Sequence, residues 1–299
     1  MTTYYHEGEL TVQAQAGVQI EASRINKSIR STIPPIAQTF LRSQQLVIVS
    51  TIDAESRVWA SLLTGEPGFL KALDEQTIEI SARPLPGDPL VENIQVGGAI
   101  GLLAIDLATR RRMRVNGRIE QIQGSIVVHT QQVYANCHKY IQVLSLHTED
   151  VPAQPVSVRR TQQLTDDQQQ WIERADTFFI ASYHADGGAD ASHRGGSPGF
   201  VQVEGATRLV FPDYSGNRMF QTLGNLNINP HAGLLFLDFD NGSTLQLTGR
   251  AEVIWDQKRV AAFAGAERVV GYSIDEVIEM VEASPLRGQL VEYSPFLPD

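Results

Sequence analysis

The sequence predicts a mainly β protein that consists of two tandem copies of one antiparallel barrel with a few flanking helices. Three observations predict it. The chain repeats itself at a shift of 131 residues. Within each copy, short apolar or alternating runs lie between turn signals, which is typical of antiparallel strands that need closure to protect their edges. The 299 residues are 42% hydrophobic and 19% charged, as in ordinary globular proteins.

The internal repeat defines the predicted domains. At a shift of 131, Ala60-Ser61 falls on Ala191-Ser192, Gly65 on Gly196, and Pro67-Gly68-Phe69 on Pro198-Gly199-Phe200. After one inserted residue, Gly101-Leu102-Leu103 falls on Gly233-Leu234-Leu235, Asp106 on Asp238, Gly117-Arg118 on Gly249-Arg250, Glu120 on Glu252, and Tyr140 on Tyr272. Each copy, at about 100 residues, is long enough to form its own core. We therefore expect domains over 34–150 and 151–299, preceded by an extension, 1–33, that has no partner in the repeat.

Local patterns predict the elements within a copy. Strands are expected at Phe178 to Tyr183, Arg208 to Phe211, Ala232 to Phe239 and Thr244 to Ile254. The apolar run Leu46 to Ser50 of the first copy falls on Thr177 to Ala181 in the repeat. Helix starts are expected at Pro34-Pro35, at Thr165 ahead of Gln168 to Ala175, and at Ser273 with Glu276, a capping box ahead of a helix running toward Val281.

Charge and cysteine content exclude several classes of partner. Lys and Arg number 24 against 34 Asp and Glu, and the net charge of -10 opposes binding to nucleic acid. The single cysteine, Cys137, excludes an intrachain disulfide and a cysteine-based zinc site. The seven histidines are not spaced as metal ligands on one strand or helix, so no metal site is expected.

Hydropathy argues against a membrane protein. The longest nearly apolar run, 96–105, has half of the ~20 residues that a membrane helix needs. Residues 1–10 lack the basic and apolar pattern of a secretory signal, so we expect a cytoplasmic protein that does not bind membranes.

A series of motifs in the second copy resembles the pyridoxamine 5'-phosphate oxidase-like family of FMN-binding split barrels. The motifs are Phe179 to Gly187, Ala191 to Gly196, Phe211 to Arg218, Leu226 to Pro230 and Leu245 to Glu252. The resemblance implies two tandem split barrels that form a pseudo-dimer, with FMN between them, and oxidoreductase activity on a small-molecule substrate or electron donor. It also leaves open a homodimer of the fused pair.

The resemblance suggests cofactor-binding residues in four segments of the chain. Arginine, hydroxyl and amide donors suit the flavin phosphate, which is a dianion. His138 stands where one branch of the family has proline in a segment like Asn136 to Gln142. The expected contacts are Ser192, His193 and Arg194 after one strand; Asp213, Tyr214, Ser215, Asn217 and Arg218 in a turn; Thr244 and Gln246 on one face of a late strand; and Lys139 and Tyr140 from the first copy.

The first copy lacks the two arginines that could hold the phosphate. Leu63 stands opposite Arg194, and Gly87 or Pro86 stands opposite Arg218. We therefore expect one FMN per chain, held by the second barrel, with the first barrel as a partner wall.

Three alternatives remain at this stage. Split barrels of this kind also include proteins that bind flavin, haem or deazaflavin without turnover, and fold alone does not decide function. The sequence around Ser197 matches the nucleophile motif of serine hydrolases, but Pro198 has no N–H for an oxyanion hole. Oxidation of vitamin B6 is not favoured, because the C-terminal segment 292–299 has no arginine pair for a substrate phosphate. No general acid or base is assigned.

Overall fold

The computed structural model describes residues 4–149 and 156–298, so the predicted boundary at 150/151 lies outside the described residues. Two antiparallel sheets form the body of the protein, and each closes round its own apolar core as a split barrel. Helices are few and lie at the edges of the sheets. The predicted mainly β fold is confirmed.

The N-terminal half contains the first sheet. Its helices are α1 (Glu7–Gln15), α2 (Gln19–Ile25), α3 (Pro35–Arg42) and α4 (Leu90–Asn93), with a 3-10 turn at Asn26–Ser28. Its strands are β1 (Leu46–Ile52), β2 (Val58–Thr64), β3 (Leu70–Ala72), β4 (Thr77–Ile80), β5 (Ala99–Asp106), β6 (Arg111–Ile122), β7 (Ile126–Ala135) and β8 (Val143–Thr148).

The C-terminal half contains the second sheet. Its helices are α5 (Asp166–Arg174), α6 (Gln221–Ile228) and α7 (Gln257–Val260). Its strands are β9 (Ser157–Thr161), β10 (Thr177–His184), β11 (Gly188–Gly195), β12 (Gln202–Val203), β13 (Arg208–Tyr214), β14 (His231–Leu237), β15 (Thr244–Ile254), β16 (Ala266–Val281) and β17 (Leu286–Glu292).

The two sheets have the same strand order. The first runs β2-β1-β5-β6-β7-β4-β3, and the second runs β11-β10-β14-β15-β16-β13-β12. Each strand of the first sheet therefore has its counterpart nine strands later, apart from the additional strand β9 on β16. Because the two halves share one topology, the sequence repeat corresponds to a repeat of the fold.

The two barrels pack face to face with reciprocal contacts. A Cβ on Gly101 of β5 would lie 2.5 Å from the carbonyl oxygen of Ala189 in β11. A Cβ on its repeat partner Gly233 would lie 2.7 Å from the carbonyl oxygen of Val58 in β2. Glycine at both positions lets the backbones approach, and apolar side chains of both halves, among them Leu103 and Leu235, form a shared core around them. The repeated glycines thus mark the contact between the barrels.

Helix predictions are confirmed at two sites and wrong at one. Pro35 begins α3, and Thr165 begins α5 in a capping box with Gln168. The segment after Ser273 is not a helix but part of β16, which pairs with β15, β13 and β9. Side chains alternate there, with Tyr272 buried and Ser273 exposed, so the period of two and the pairing on both sides outweigh the capping pattern.

The repeat match between Tyr140 and Tyr272 is also wrong. In the second sheet Ala251 pairs with Tyr272, and in the first sheet the counterpart of Ala251, Ile119, pairs with Val128. Val128 is therefore the structural equivalent of Tyr272, because the second copy has additional residues around α7. Tyr140 lies instead in the segment between β7 and β8.

The N-terminal extension contacts both barrels. Helix α1 lies against α6, where a Cβ on Gly8 would be 2.2 Å from the carbonyl oxygen of Gly224. The Gln13 side chain donates to the carbonyl of Met219 at 3.0 Å. Arg30 forms an isolated antiparallel bridge with Val133 of β7. The extension thereby links the first barrel to the loop that precedes α6.

A ribbon of two strands joins the end of the first barrel to the end of the chain. Strand β8 pairs with β17 from Leu286 to Glu292. The Gln142 side chain accepts from the backbone N–H of Ser294 at 2.8 Å. Among the described residues, none of the helices is both long and apolar enough to cross a membrane.

Candidate functional site

A pocket of about 90 Å³ lies where the two barrels meet. Both barrels line it. The first contributes Arg112, Arg114, Asn136, Cys137, Lys139 and Tyr140; the second contributes His193, Arg194, Gly195, Phe200, residues 212–214 and 216–218, and the first turn of α6 with Phe220, Gln221, Thr222 and Leu223. Eight of the twelve residues predicted from the sequence are in this lining: Lys139, Tyr140, His193, Arg194, Asp213, Tyr214, Asn217 and Arg218.

The first barrel supplies two arginines that the sequence analysis missed. Arg112 and Arg114 are alternate residues of β6 and therefore project from one face of the strand. Arg114 is buried and donates to both carboxylate oxygens of Asp190, at 3.2 and 2.9 Å, and to the hydroxyl of Ser192. The first barrel is therefore a source of charge in the site and not only a wall.

Arg112 has no acidic partner within the described part of the chain. Its Nε donates to the carbonyl of Cys137 at 2.8 Å, and its Nη1 lies 3.1 Å from Nδ1 of His193. Burial, with the nearby charges of Arg114 and Arg194, lowers the pKa of Arg112 to about 9. An anion in the pocket would restore the ordinary pKa by neutralising this crowded positive charge.

His193 is a buried neutral imidazole that offers one N–H donor. Burial, with the charges of Arg112 and Arg194, places its pKa well below the usual value. Since arginine can only donate, Nδ1 accepts from Arg112 and the proton resides on Nε2. That Nε2 finds no hydrogen-bond partner among the described residues, nor do Nε of Arg114 and Nε of Arg194.

Arg194 and Asp213 form the polar floor on the side of the second barrel. Arg194 donates to the Ser192 hydroxyl at 2.7 Å and lies 3.8 Å from Asp213. Asp213 is shared with Arg268 at 3.0 Å, a further arginine that sequence analysis missed. Burial raises the pKa of Asp213, and the two arginines oppose that change. One carboxylate thus lies between two arginines and cannot neutralise both.

The segment after β7 brings Lys139 and Tyr140 to the pocket. The Tyr140 hydroxyl donates to the carbonyl of Ser215 at 3.1 Å, and its ring lies 5.1 Å from that of Tyr214. The Tyr140 N–H donates to the hydroxyl of Ser294 at 3.1 Å. The side chain of Ser215 is not in the lining, so Ser215 takes part through its backbone.

The loop before α6 carries Arg218 in the left-handed region, with φ of 61°. Its guanidinium is half-exposed and lies 3.1 Å from the carboxylate of Glu21 in α2. Asn217 uses its side-chain oxygen to accept the N–H of Met219 at 3.1 Å. Arg218 is thus held at the pocket rim by the N-terminal extension, which could not be seen from the motif alone.

Thr244 and Gln246, which are predicted to contact the cofactor, are not among the residues that line this pocket. They are the repeat counterparts of Arg112 and Arg114, and they lie beside β2, where Gln246 donates to the carbonyl of Ala60 at 2.8 Å. The reason is the reciprocal packing: this strand of each barrel faces the site formed mainly by the other barrel. Applied to the first copy, this rule places Arg112 and Arg114 of β6 at the site of the second barrel.

The pseudo-equivalent position on the other side of the interface is closed. The repeat counterparts of Asp190, His193 and Arg194 are Trp59, Leu62 and Leu63, and none of them is cationic. Trp59 is buried against Ile278 and Met280. This asymmetry leaves one basic pocket of this kind among the described residues.

The residues of the pocket fit a phosphate group. Its volume of about 90 Å³ suits a small charged group rather than a whole nucleotide. Three arginines, a neutral histidine with a free N–H and the first turn of α6 supply donors, and the N-terminus of a helix favours an anion. A larger cleft of about 590 Å³ adjoins the pocket at Arg112 and Asn136.

A cluster of His6, Glu7 and His184 brings three metal-ligating side chains together. The geometry opposes a metal there. Nδ1 of His6 accepts the N–H of Gly8, and Nδ1 of His184 accepts the N–H groups of Asp186 and Gly187. Each Nε2 therefore carries a proton and donates, to Asn225 and to Glu7 respectively, so it has no lone pair for a cation.

Comparisons with known proteins concern the second half of the chain above all. Residues 164–289 match the family model of pyridoxamine 5'-phosphate oxidase. No curated protein matches the chain. Solved structures that resemble it include a protein of Lactobacillus delbrueckii named as a candidate pyridoxamine 5'-phosphate oxidase, at 21% identity over 39% of this chain and 94% of that chain, with a TM-score of 0.33.

Two further solved structures resemble the chain at lower identity. HupZ of Group A Streptococcus is 12% identical over 44% of this chain and 98% of that chain, with a TM-score of 0.32. A FAD-binding protein of Mesorhizobium loti is 13% identical over 42% of this chain and 98% of that chain, with a TM-score of 0.28.

Proposed function

Because this chain belongs, through its residues 164–289, to the pyridoxamine 5'-phosphate oxidase-like family, we propose that it binds one FMN per chain and acts as an oxidoreductase. One observation carries the proposal. Arg112, Arg114, Arg194 and His193 meet in one pocket between the barrels, with buried donor atoms that lack partners among the described residues. A flavin phosphate would satisfy those donors.

Each barrel has a separate task in this proposal. The second barrel holds the phosphate with Arg194, His193 and the first turn of α6, and Asp213 keeps Arg194 in place. The first barrel completes the phosphate site with Arg112 and Arg114. Ser192, beneath the pocket, accepts from both Arg114 and Arg194 and fixes the distance between these two guanidinium groups.

The ring of the flavin would carry out the transfer of hydride or electrons, while the protein orients it and controls its surroundings. Lys139, Tyr140 and Tyr214 also line the pocket, and we assign them to the edge of the ring. The hydrogen bond from the Tyr140 hydroxyl to Ser215 joins the first barrel to the loop of the second and closes the site on that side.

Stoichiometry and phosphate dependence test the binding. The protein, stripped of ligand, is titrated with FMN and with riboflavin, which lacks the phosphate. We expect about one FMN per chain. Because a hydrogen bond to a charged group contributes about 1.5–3 kcal/mol, Arg194→Gln should weaken FMN binding about 10- to 100-fold and leave riboflavin binding unchanged.

Arg250→Gln is the matched control, because Arg250 is an exposed arginine on β15 outside the pocket. Its affinity for FMN should equal that of the unaltered protein. Two FMN per chain, or equal loss of FMN and riboflavin in Arg194→Gln, would contradict the phosphate assignment. Protein loaded with FMN is then mixed with reduced nicotinamides without oxygen. Bleaching of the flavin absorbance supports an enzyme, whereas bound FMN that no donor reduces supports a flavin-binding protein without turnover.

A further inference from the structure

The charged side chains that line the cleft next to the pocket are all basic. It has a volume of about 590 Å³, within the range of about 300–1,000 Å³ that is usual for small-molecule sites. Among the residues that the structure describes, its lining includes Arg30, Arg110, Arg111, Arg112 and His138, and no aspartate or glutamate. This is unusual for a chain with 34 acidic and 24 basic residues. The cleft therefore selects against cations.

Its floor is apolar. Ala37 and Phe40 of α3 and Met113 and Val133 of the first sheet are buried where the helix lies against the barrel. The guanidinium of Arg111 lies 5.1 Å from the centre of the Phe40 ring, which orients an arginine and an aromatic ring toward one space. An occupant needs a flat or branched apolar body as well as negative charge.

Most of the arginines at the rim are not neutralised by the protein. Arg110 is held by the carbonyls of Ile141 and Tyr293 and by Glu292. By contrast, Arg30 and Arg111 form no ion pair among the described residues, and Arg112 bonds only to a carbonyl and to His193. Charge is therefore available to an incoming anion.

We propose that this cleft binds the substrate as a small organic anion with an aromatic or branched aliphatic body, so that its apolar part lies on Phe40 and Met113 and its anionic group faces Arg30 and Arg111. The assignment as substrate rests on the proposed function, because Arg112 and Asn136 line both cavities and bring the occupant next to the flavin site. The binding itself does not require the flavin.

The test compares 1-naphthoate with its neutral analogue 1-naphthamide, titrated by fluorescence or calorimetry into the full chain with and without FMN. We expect 1-naphthoate to bind at least tenfold more tightly than 1-naphthamide in both forms. With FMN bound, 1-naphthoate should also shift the visible absorbance of the flavin. Equal affinity of the two probes, or no binding of 1-naphthoate at millimolar concentration, would overturn the proposal.

Two variants locate the binding. The double variant Arg30→Gln with Arg111→Gln should weaken 1-naphthoate at least tenfold and leave 1-naphthamide unchanged. Ile36→Asp places a carboxylate at the rim on a residue that is 73% exposed, so the fold is retained, and it should have the same effect. Arg42→Gln, an exposed arginine on α3 outside the cleft, should leave both affinities within twofold. If only Arg42→Gln abolished the preference for 1-naphthoate over 1-naphthamide, the anion would bind outside the cleft.

The two proposals fail separately. If FMN binds and 1-naphthoate does not, only the assignment of the cleft fails. If 1-naphthoate binds with the expected selectivity and FMN does not, the cleft is an anion site and the flavin function fails. An absorbance of bound FMN that 1-naphthoate leaves unchanged overturns the role of the cleft as substrate site.

Discussion

The buried ion pair between the barrels offers the sharpest test of the structure. Asp190 in β11 is 1% exposed and accepts hydrogen bonds from Arg114, from the Tyr134 hydroxyl at 2.9 Å and from the Thr222 hydroxyl at 3.3 Å. Asp190→Asn keeps the shape of the side chain but leaves the guanidinium of Arg114 buried without a counter-charge. Removal of one partner of a buried pair costs about 3–5 kcal/mol.

A double variant separates the cost of the unpaired charge on Arg114 from the cost of the lost hydrogen bonds. The chain itself shows that a neutral residue fits at this point, because Gln246 is the repeat counterpart of Arg114. We therefore expect Arg114→Gln combined with Asp190→Asn to recover at least half of the cost of Asp190→Asn, since no charge then remains without a partner. Simple addition of the two single costs would refute the reasoning.

The assay is urea unfolding followed by tryptophan fluorescence, with the free energy of unfolding compared among the four proteins. Trp171, Trp255 and Trp59 report on the two halves. A cost below 1 kcal/mol for Asp190→Asn would mean that water reaches Arg114, contrary to its 6% exposure.

Three further predictions concern pH, the barrel contact and the N-terminal extension. Burial, with the charge of Asp190, raises the pKa of Glu9 from 4.5 to about 8, so the folded protein retains a proton that the unfolded chain releases. The free energy of unfolding should therefore fall as pH rises from 4.5 to about 8, and Glu9→Gln should flatten that fall in urea titrations across this range; an unchanged slope would contradict the burial of Glu9. Gly101→Val and Gly233→Val should each lower the free energy of unfolding by at least about 1–3 kcal/mol, because the new side chain would meet the backbone of the opposite barrel. Thermal unfolding measures this effect. Variants that unfold at the same temperature as the unaltered protein would show that the barrels do not make this contact. Glu21→Gln should strengthen FMN binding about two- to fivefold at low salt by removing the half-exposed partner that competes for Arg218, an effect that vanishes at high salt and that equilibrium titration measures; a weaker affinity would mean that Glu21 positions Arg218 for the phosphate.

The pattern of the sequence alone determined the architecture. The repeat predicted two copies of one fold, and strict alternation in Thr244 to Ile254 predicted β15 at its observed bounds. The segment after Ser273 was predicted wrongly, because a capping pattern competed there with alternation, and other strands, such as β6 and β11, were not predicted individually. Local periodicity indicates a strand because it reflects which face of the strand meets a core.

The site depended on how the two copies are placed against each other. Arg194 and Tyr140 lie in recognisable motifs and could be predicted for the site, whereas Arg114 lies in none, and Gln246, also predicted for the site, lies beside Ala60 of β2. These two residues occupy the same position of the repeat. Which of them faces the pocket is decided by the packing of one barrel on the other, and no local pattern encodes that contact.

The repeat in the sequence thus predicted two copies of one fold, and eight of the twelve predicted site residues line the pocket. The packing of the barrels, by contrast, brings β6 of the first barrel to the pocket of the second, places Trp59 in the pseudo-equivalent position, and sets Glu21 of the N-terminal extension beside Arg218. The physical reason is distance along the chain. Arg114 and Asp190 are 76 residues apart, and only burial at a shared interface brings their charges together.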